Sequence, residues 1–121
     1  MQYMLLFYDA EPNLSPPVEA TEKQAYFGAW NAYMDAMQSA GVVRAGEELQ
    51  SAKLATCVKV RNEKRHVQDG PFADTKEELG GFVVIEVATL DDALAWAARC
   101  PTAATGTVEV RPVVLNPLQA S

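Results

Sequence analysis

The chain is poor in the side chains that hold metals. Its 121 residues include two cysteines, Cys57 and Cys100, and one histidine, His66. No two of them have the spacing of a zinc or iron–sulfur motif, so no metal site is expected. Basic residues are also scarce: 10 Lys and Arg stand against 16 Asp and Glu, for a net charge of -6 and a pI near 4.7. Phosphate backbones demand a basic surface, which excludes nucleic acid as an expected partner. The two basic clusters, Lys59 with Arg61 and Lys64 with Arg65, flank a hairpin turn and are too small to change that. Long apolar runs are missing, and a bilayer needs about 20 such residues, so no membrane partner is expected. Residues 1–8 are apolar but lack a basic leader and a cleavage site, and Asp9 follows at once. They read as a strand, and a cytoplasmic protein is the expectation.

What remains fits one domain over residues 1–121, large enough to close a core without disulfides. Residues 2–8 predict a first strand. Pro12, Pro16 and Pro17 make 10–20 a loop. Thr21, with Gln24 three residues later, predicts a capping box that opens a helix ending at Gly41. Tyr26, Trp30, Tyr33 and Met37 recur on it at helical spacing, flanked by Phe27 and Met34. Such a stripe packs inward as core; Trp30 and the two tyrosines, Tyr26 and Tyr33, are the members also suited to line a ligand pocket. Further strands are expected at 42–49 (with a bulge at Gly46), 54–60, 65–68, 81–87 and 107–111. Residues 61–64 turn one hairpin. Thr89 caps a second helix whose packing face is Leu90, Ala93, Leu94, Ala97 and Ala98, stopped by Pro101.

Strand, helix, strand, inserted hairpin, strand, helix, strand is the order of a ferredoxin-like α+β unit, with both helices on one face of an antiparallel sheet. Only the helix-covered face of such a sheet must be apolar. Yet Tyr3, Leu5 and Phe7 alternate with Met4, Leu6 and Tyr8, and Phe82 and Val84 alternate with Val83, Ile85 and Val87. Two strands are apolar on both faces, which predicts a second cover, most economically the sheet of a second copy in a homodimer.

Between the inserted hairpin and the next strand lies Asp69-Gly70-Pro71-Phe72-Ala73-Asp74-Thr75-Lys76-Glu77-Glu78-Leu79-Gly80-Gly81-Phe82. Asp69-Gly70-Pro71 is a turn. Phe72 is expected to anchor the loop on the core. Asp74, with Glu77 three residues on, reads as the cap of a helical turn ending at Gly80, and Gly81 as a place of close backbone approach. On this run, together with the opening strand, the 91–97 helix and the 106–112 ending, the chain resembles the YCII-related proteins, specifically their DGPF branch. The resemblance implies a dimeric α+β barrel. The elaborate loop beside the barrel strands points to a small molecule held in a cleft between sheet and helices, with catalytic turnover as an extension. Some relatives pair a histidine on the first helix with an aspartate after the second; here residues 21–40 contain no histidine and the second helix ends Arg99-Cys100-Pro101, so that pair is not carried over. The resemblance also implies an alternative, a non-catalytic regulatory module associated with extracytoplasmic-function sigma factors, with the apolar tail at 113–118 as docking surface.

If the 69–80 loop overhangs a cleft, Asp69 or Asp74 is the candidate general base and Lys76 the candidate holder of an anionic group, with Phe72 beside them. Each also has a structural role, as turn, cap or solvated face. His66 alone titrates near neutral pH. Alternation sets it on the face opposite Asp69, so a His66–Asp69 pair would need a bulge. Cys57 reads as a small hydrophobe within a strand, and Cys100 as a poor nucleophile at a helix C-terminus. No residue pattern names a cofactor or a reaction.

Overall fold

A computed structural model describes residues 1–115. Strands are β1 (Gln2–Asp9), β2 (Val43–Glu48), β3 (Thr56–Arg61), β4 (Lys64–Asp69), β5 (Glu78–Glu86) and β6 (Thr107–Pro112); helices are α1 (Ala20–Ser39) and α2 (Leu90–Arg99). Four strands form one sheet in the order β2-β5-β1-β6, every neighbouring pair antiparallel, while β3 and β4 pair only with each other. With that hairpin set aside, the order is that of a ferredoxin-like sheet.

Alternation along β1 and β5 explains the core. Tyr3, Leu5 and Phe7, with Val83 and Ile85, are buried beneath Tyr33 and Met37 of α1 and Ala93 and Ala97 of α2. All five strand residues share one face, so both helices cover that face. Leu5, Met37 and Ile85 are fully enclosed, each contributing about 1.5–3 kcal/mol of apolar burial. On α2 the packing face is narrower than the apolar pattern: Leu90 and Leu94 stay nearly half exposed and Ala98 is exposed, while Trp96 packs against the core instead.

The cap of α1 lies earlier than expected. Glu19, not Thr21, precedes the helix, and its carboxylate accepts the Glu22 amide at 2.8 Å. Thr21 is already inside the first turn. Pro16 and Pro17 keep the preceding chain out of the helix, and Glu19 is the first acceptor that can serve a free amide. Thr89 caps α2 as predicted, accepting from Asp92 at 3.1 Å. The β3–β4 turn falls at Asn62 and Glu63, both with positive φ (52° and 65°), the geometry of a tight hairpin turn. β3 starts at Thr56, because residues 52–54 form a short 3-10 turn.

The 70–80 segment differs from its predicted form. No helical turn follows Asp74. The chain runs irregularly to Glu77 and enters β5 at Glu78, where Glu78 pairs with Asp9 and Leu79 with Tyr8. Partners across the sheet satisfy these backbone groups better than one isolated turn of helix would. Thr75 contributes a local brace, its hydroxyl donating to the Glu77 carbonyl. Phe72 does not anchor the loop on the core: it is 94% exposed. The Gly70 turn does form, at φ 104°, with the Gly70 amide donating to the Ala55 carbonyl at 2.7 Å. The sheet irregularity expected at Gly46 occurs instead between Val43 and Ala45. A second one lies in β5: Phe7 pairs with Gly81 and Tyr8 with Leu79, so Gly80 is an extra residue in its strand.

Candidate functional site

A cavity of ≈ 500 Å³ opens between α1 and the β2–β5 end of the sheet. That is ample for a small organic ligand. Its helix wall is aromatic: Trp30 lies three and four residues after Phe27 and Tyr26, and Met34 four residues further on, so they share one side. Tyr26 and Phe27 meet edge to face at 5.5 Å, and Trp30 sits 5.7 Å from Phe7 of β1. The apolar stripe of α1 is thus divided. Tyr33 and Met37 enter the core, and the Tyr33 hydroxyl donates to the Trp96 carbonyl at 2.9 Å. The turns toward the N-terminus overhang the cavity, with Tyr26 and Trp30 only partly buried.

The floor is made possible by glycine. Gly46, Gly80 and Gly81 all border the cavity. A Cβ on Gly81 would stand 2.8 Å from the Glu47 carbonyl oxygen, so β2 could not approach β5 as it does. A Cβ on Gly80 would stand 2.5 Å from the Leu14 side chain, so the bare backbone there lets Leu14 close over the strand at the cavity mouth. The long loop signature thus reaches the cavity through its closing glycines.

At the mouth stand Asn13, Leu14 and Pro16 on one side and Glu47 and Glu48 on the other. Asn13 is held from behind by Asp9, only 2% exposed at the end of β1. One carboxylate oxygen of Asp9 accepts from the Ala10 amide at 2.8 Å and the Asn13 side-chain amide at 3.0 Å, and the other accepts from the Thr105 hydroxyl. Among the described residues no Lys, Arg or His lines the cavity. The Tyr26 phenol has its pKa raised, first by removal from water and then by the nearby Glu48 charge, with a hydrogen bond to Trp30 opposing weakly. A second hollow of ≈ 420 Å³, bounded by Glu11, Ser51, Leu54 and Glu78, adjoins the first and shares Leu14, Pro16, Glu48 and Gly80 with it.

Of the residues singled out in the sequence, Trp30 and Tyr26 line the cavity. Tyr33 lies behind it in the core, its phenol pushed far above the ordinary range chiefly by burial. Asp69, Asp74, Lys76, Phe72 and His66 do not line it. Asp69 ends the outer hairpin strand opposite Thr56, and His66 is exposed opposite Lys59, so the two are not brought together. Asp74 and Lys76 are exposed in the irregular segment. The residues not singled out are Asp9, Asn13 and Glu48. Asp9 carried a legible signal: it continues the 3, 5, 7 parity of buried positions, so a carboxylate was due beneath the helices. Asn13 and Glu48 lie in a loop and at a strand end, and no periodicity marks them. Among the described residues no three His, Cys, Asp or Glu side chains converge as a metal ion would require. Cys100 is buried and its thiol pushed up by that burial; Cys57 lies within the hairpin, its sulfur 3.2 Å from the Gly70 carbonyl.

The fold has a solved counterpart in the 5-chloro-2-hydroxyhydroquinone dehydrochlorinase of Burkholderia phenoliruptrix, determined with 2,5-dihydroxybenzoquinone. The two superimpose with a TM-score of 0.56 over 96% of each chain, at 14% sequence identity, a likeness of fold. The YCII-related domain matches residues 1–116, and the chain belongs to that family. An uncharacterized protein of Rhizobium meliloti is 53% identical over 51 residues, a stretch that spans 40% of this chain and 41% of that protein. Among the described residues no helix is long and apolar enough to cross a membrane.

Proposed function

We propose that this protein binds a small, flat, largely apolar molecule in the cavity between α1 and the β2–β5 end of the sheet. The observation that carries the reading is an aromatic wall, Tyr26, Phe27 and Trp30, standing over a glycine floor in a space of ≈ 500 Å³. Aromatic faces left half-open beside a packed core are available for stacking. The fold neighbour was solved with a flat six-membered ring, which is compatible with such an occupant. Turnover is a further step in this reading. Asp69, Asp74 and His66, the acid–base candidates of the sequence, stand away from the cavity in one chain, so binding rests on Trp30 and Tyr26 instead. The reading includes a cytoplasmic homodimer, in which the half-buried outer face of the sheet, Met4, Leu6, Tyr8, Phe82 and Val84, meets its copy.

The test is binding of small aromatic compounds, followed by tryptophan emission and calorimetry. Trp30→Ala and Tyr26→Ala should each weaken binding about tenfold or more, with Tyr26→Ala leaving the melting temperature nearly unchanged because that ring is not core. Unaltered affinity in both variants would refute the site. The regulatory alternative, pairing with an extracytoplasmic-function sigma factor, placed its docking surface on residues 113–118, of which 116–118 lie outside the described residues. Among the rest, Val114 and Leu115 are exposed. Recovery of a sigma factor by the intact chain, and not by a variant with both made serine, would favour it.

A further inference from the structure

Resting on that binding reading, we infer that the cavity selects organic cations, taking a small aromatic or alkyl ammonium compound in preference to a neutral or anionic one of the same shape. Three observations converge. The helix wall offers the π faces of Tyr26, Phe27 and Trp30, and a ring face attracts positive charge when the cation lies within about 6 Å of its centre. The opposite lip carries Glu48, which pairs with Gly81 on the helix-covered face and has no ion-pair partner among the described residues. Among the described residues no lysine, arginine or histidine borders the space, so an anionic ligand would find nothing to replace its lost hydration.

The wider charge distribution points the same way. Half of the chain's ten basic residues, Lys53, Lys59, Arg61, Lys64 and Arg65, sit on or beside the outer hairpin, which leaves the body around the cavity strongly acidic. Two cations of that body are engaged elsewhere: Arg44 donates to the carbonyls of Gly41 and Val43, and Arg99 lies 4.5 Å from the Trp96 ring centre. A negative field focused at a partly apolar mouth draws cations in and repels carboxylates. The Tyr26 phenol is pushed up first by burial and then by the nearby Glu48 charge, in keeping with a carboxylate close to the aromatic wall.

Three probes of similar size separate the possibilities: benzyltrimethylammonium, benzyl alcohol and benzoate, titrated calorimetrically into the intact chain at matched ionic strength. The ammonium compound should bind tightest and benzoate weakest. Glu48→Gln should cost the cation about three- to tenfold in affinity and leave benzyl alcohol unchanged. Asp91→Asn, an equal loss of charge on exposed α2, should leave all three alone. Benzoate binding as tightly as the cation would overturn the inference, as would a cation affinity indifferent to Glu48→Gln. Benzyl alcohol binding without any preference for the cation would sink the inference alone and leave the cavity a binding site. Failure of all three probes would sink both.

Discussion

Tyr33 and Tyr26 occupy the same helix face two turns apart, yet one is structural and the other faces the cavity. Tyr33 is 4% exposed, with its hydroxyl committed to the Trp96 carbonyl. Its phenol is held protonated well above the ordinary value, mainly by burial, with Cys100 adding to the shift and Arg99 opposing it. The consequence for stability has a definite sign. An unfolded tyrosine loses its proton near pH 10, while the folded one keeps it, so above that pH the folded state binds more protons. The stabilisation is complete below about pH 10 and is lost as pH rises beyond it toward the folded value. Tyr33→Phe should therefore lose about 1 kcal/mol at neutral pH, from the hydrogen bond. It should also show a shallower fall in stability between pH 10 and 12 than the parent chain in urea melts. An equally steep fall would remove Tyr33 as the source. Asp9 belongs to the same scale: a buried carboxylate with three donors, it fixes Asn13 at the cavity mouth rather than standing in the cavity itself.

At the scale of elements, β5 does more than complete a sheet. Its first half carries the bulge at Gly80 and the close approach of Gly81 to β2, and its second half carries Val83 and Ile85 into the core. Stability and site opening are thereby written into consecutive residues of one strand. Gly81→Ala places a methyl against the Glu47 carbonyl, where backbone and not a flexible side chain must move. Overpacking of this kind costs about 1–3 kcal/mol, and the displaced β2 edge should also weaken ligand binding. Denaturant melts and calorimetry on the same variant would check both effects; a fully stable variant would show that β2 yields freely. The outer hairpin contrasts with β5. Val58, Val60 and Val67 are all more than half exposed, and an isolated two-stranded hairpin is marginal in water. It is the element expected to exchange its amides first.

For the whole molecule, the question is what covers the sheet opposite the helices. Met4, Leu6, Tyr8, Phe82 and Val84 are each only half-buried on that face, ringed by Glu47, Glu109 and Arg111 on the flanking strands. An apolar centre with a charged rim is the anatomy of an interface. Sedimentation of the intact chain at micromolar concentration should give the mass of two chains, and Leu6→Asp should give that of one. A wild-type chain that sediments as a single subunit would end the homodimer proposal.

How far the primary structure reaches differs between fold and site, for a physical reason. Elements follow from periodicity: alternation in β1 and β5, three-to-four spacing in α1, and the Thr89 cap and Pro101 stop of α2 are all local, and so the ferredoxin-like order was legible. Interactions between distant segments misled the reading at the 74–80 segment. Its capping pattern was genuine, but pairing with β1, remote in sequence, outcompeted a single helical turn. The cavity was legible only through Trp30 and Tyr26 of the helical stripe, because its other walls exist only where Glu48 of β2, the glycines of β5 and Asn13 of a loop converge on α1. By itself the sequence determined which residues shun water and in what rhythm. Only tertiary structure decided which of those aromatic rings were left facing an empty space, since that depends on how closely two strands approach under one helix.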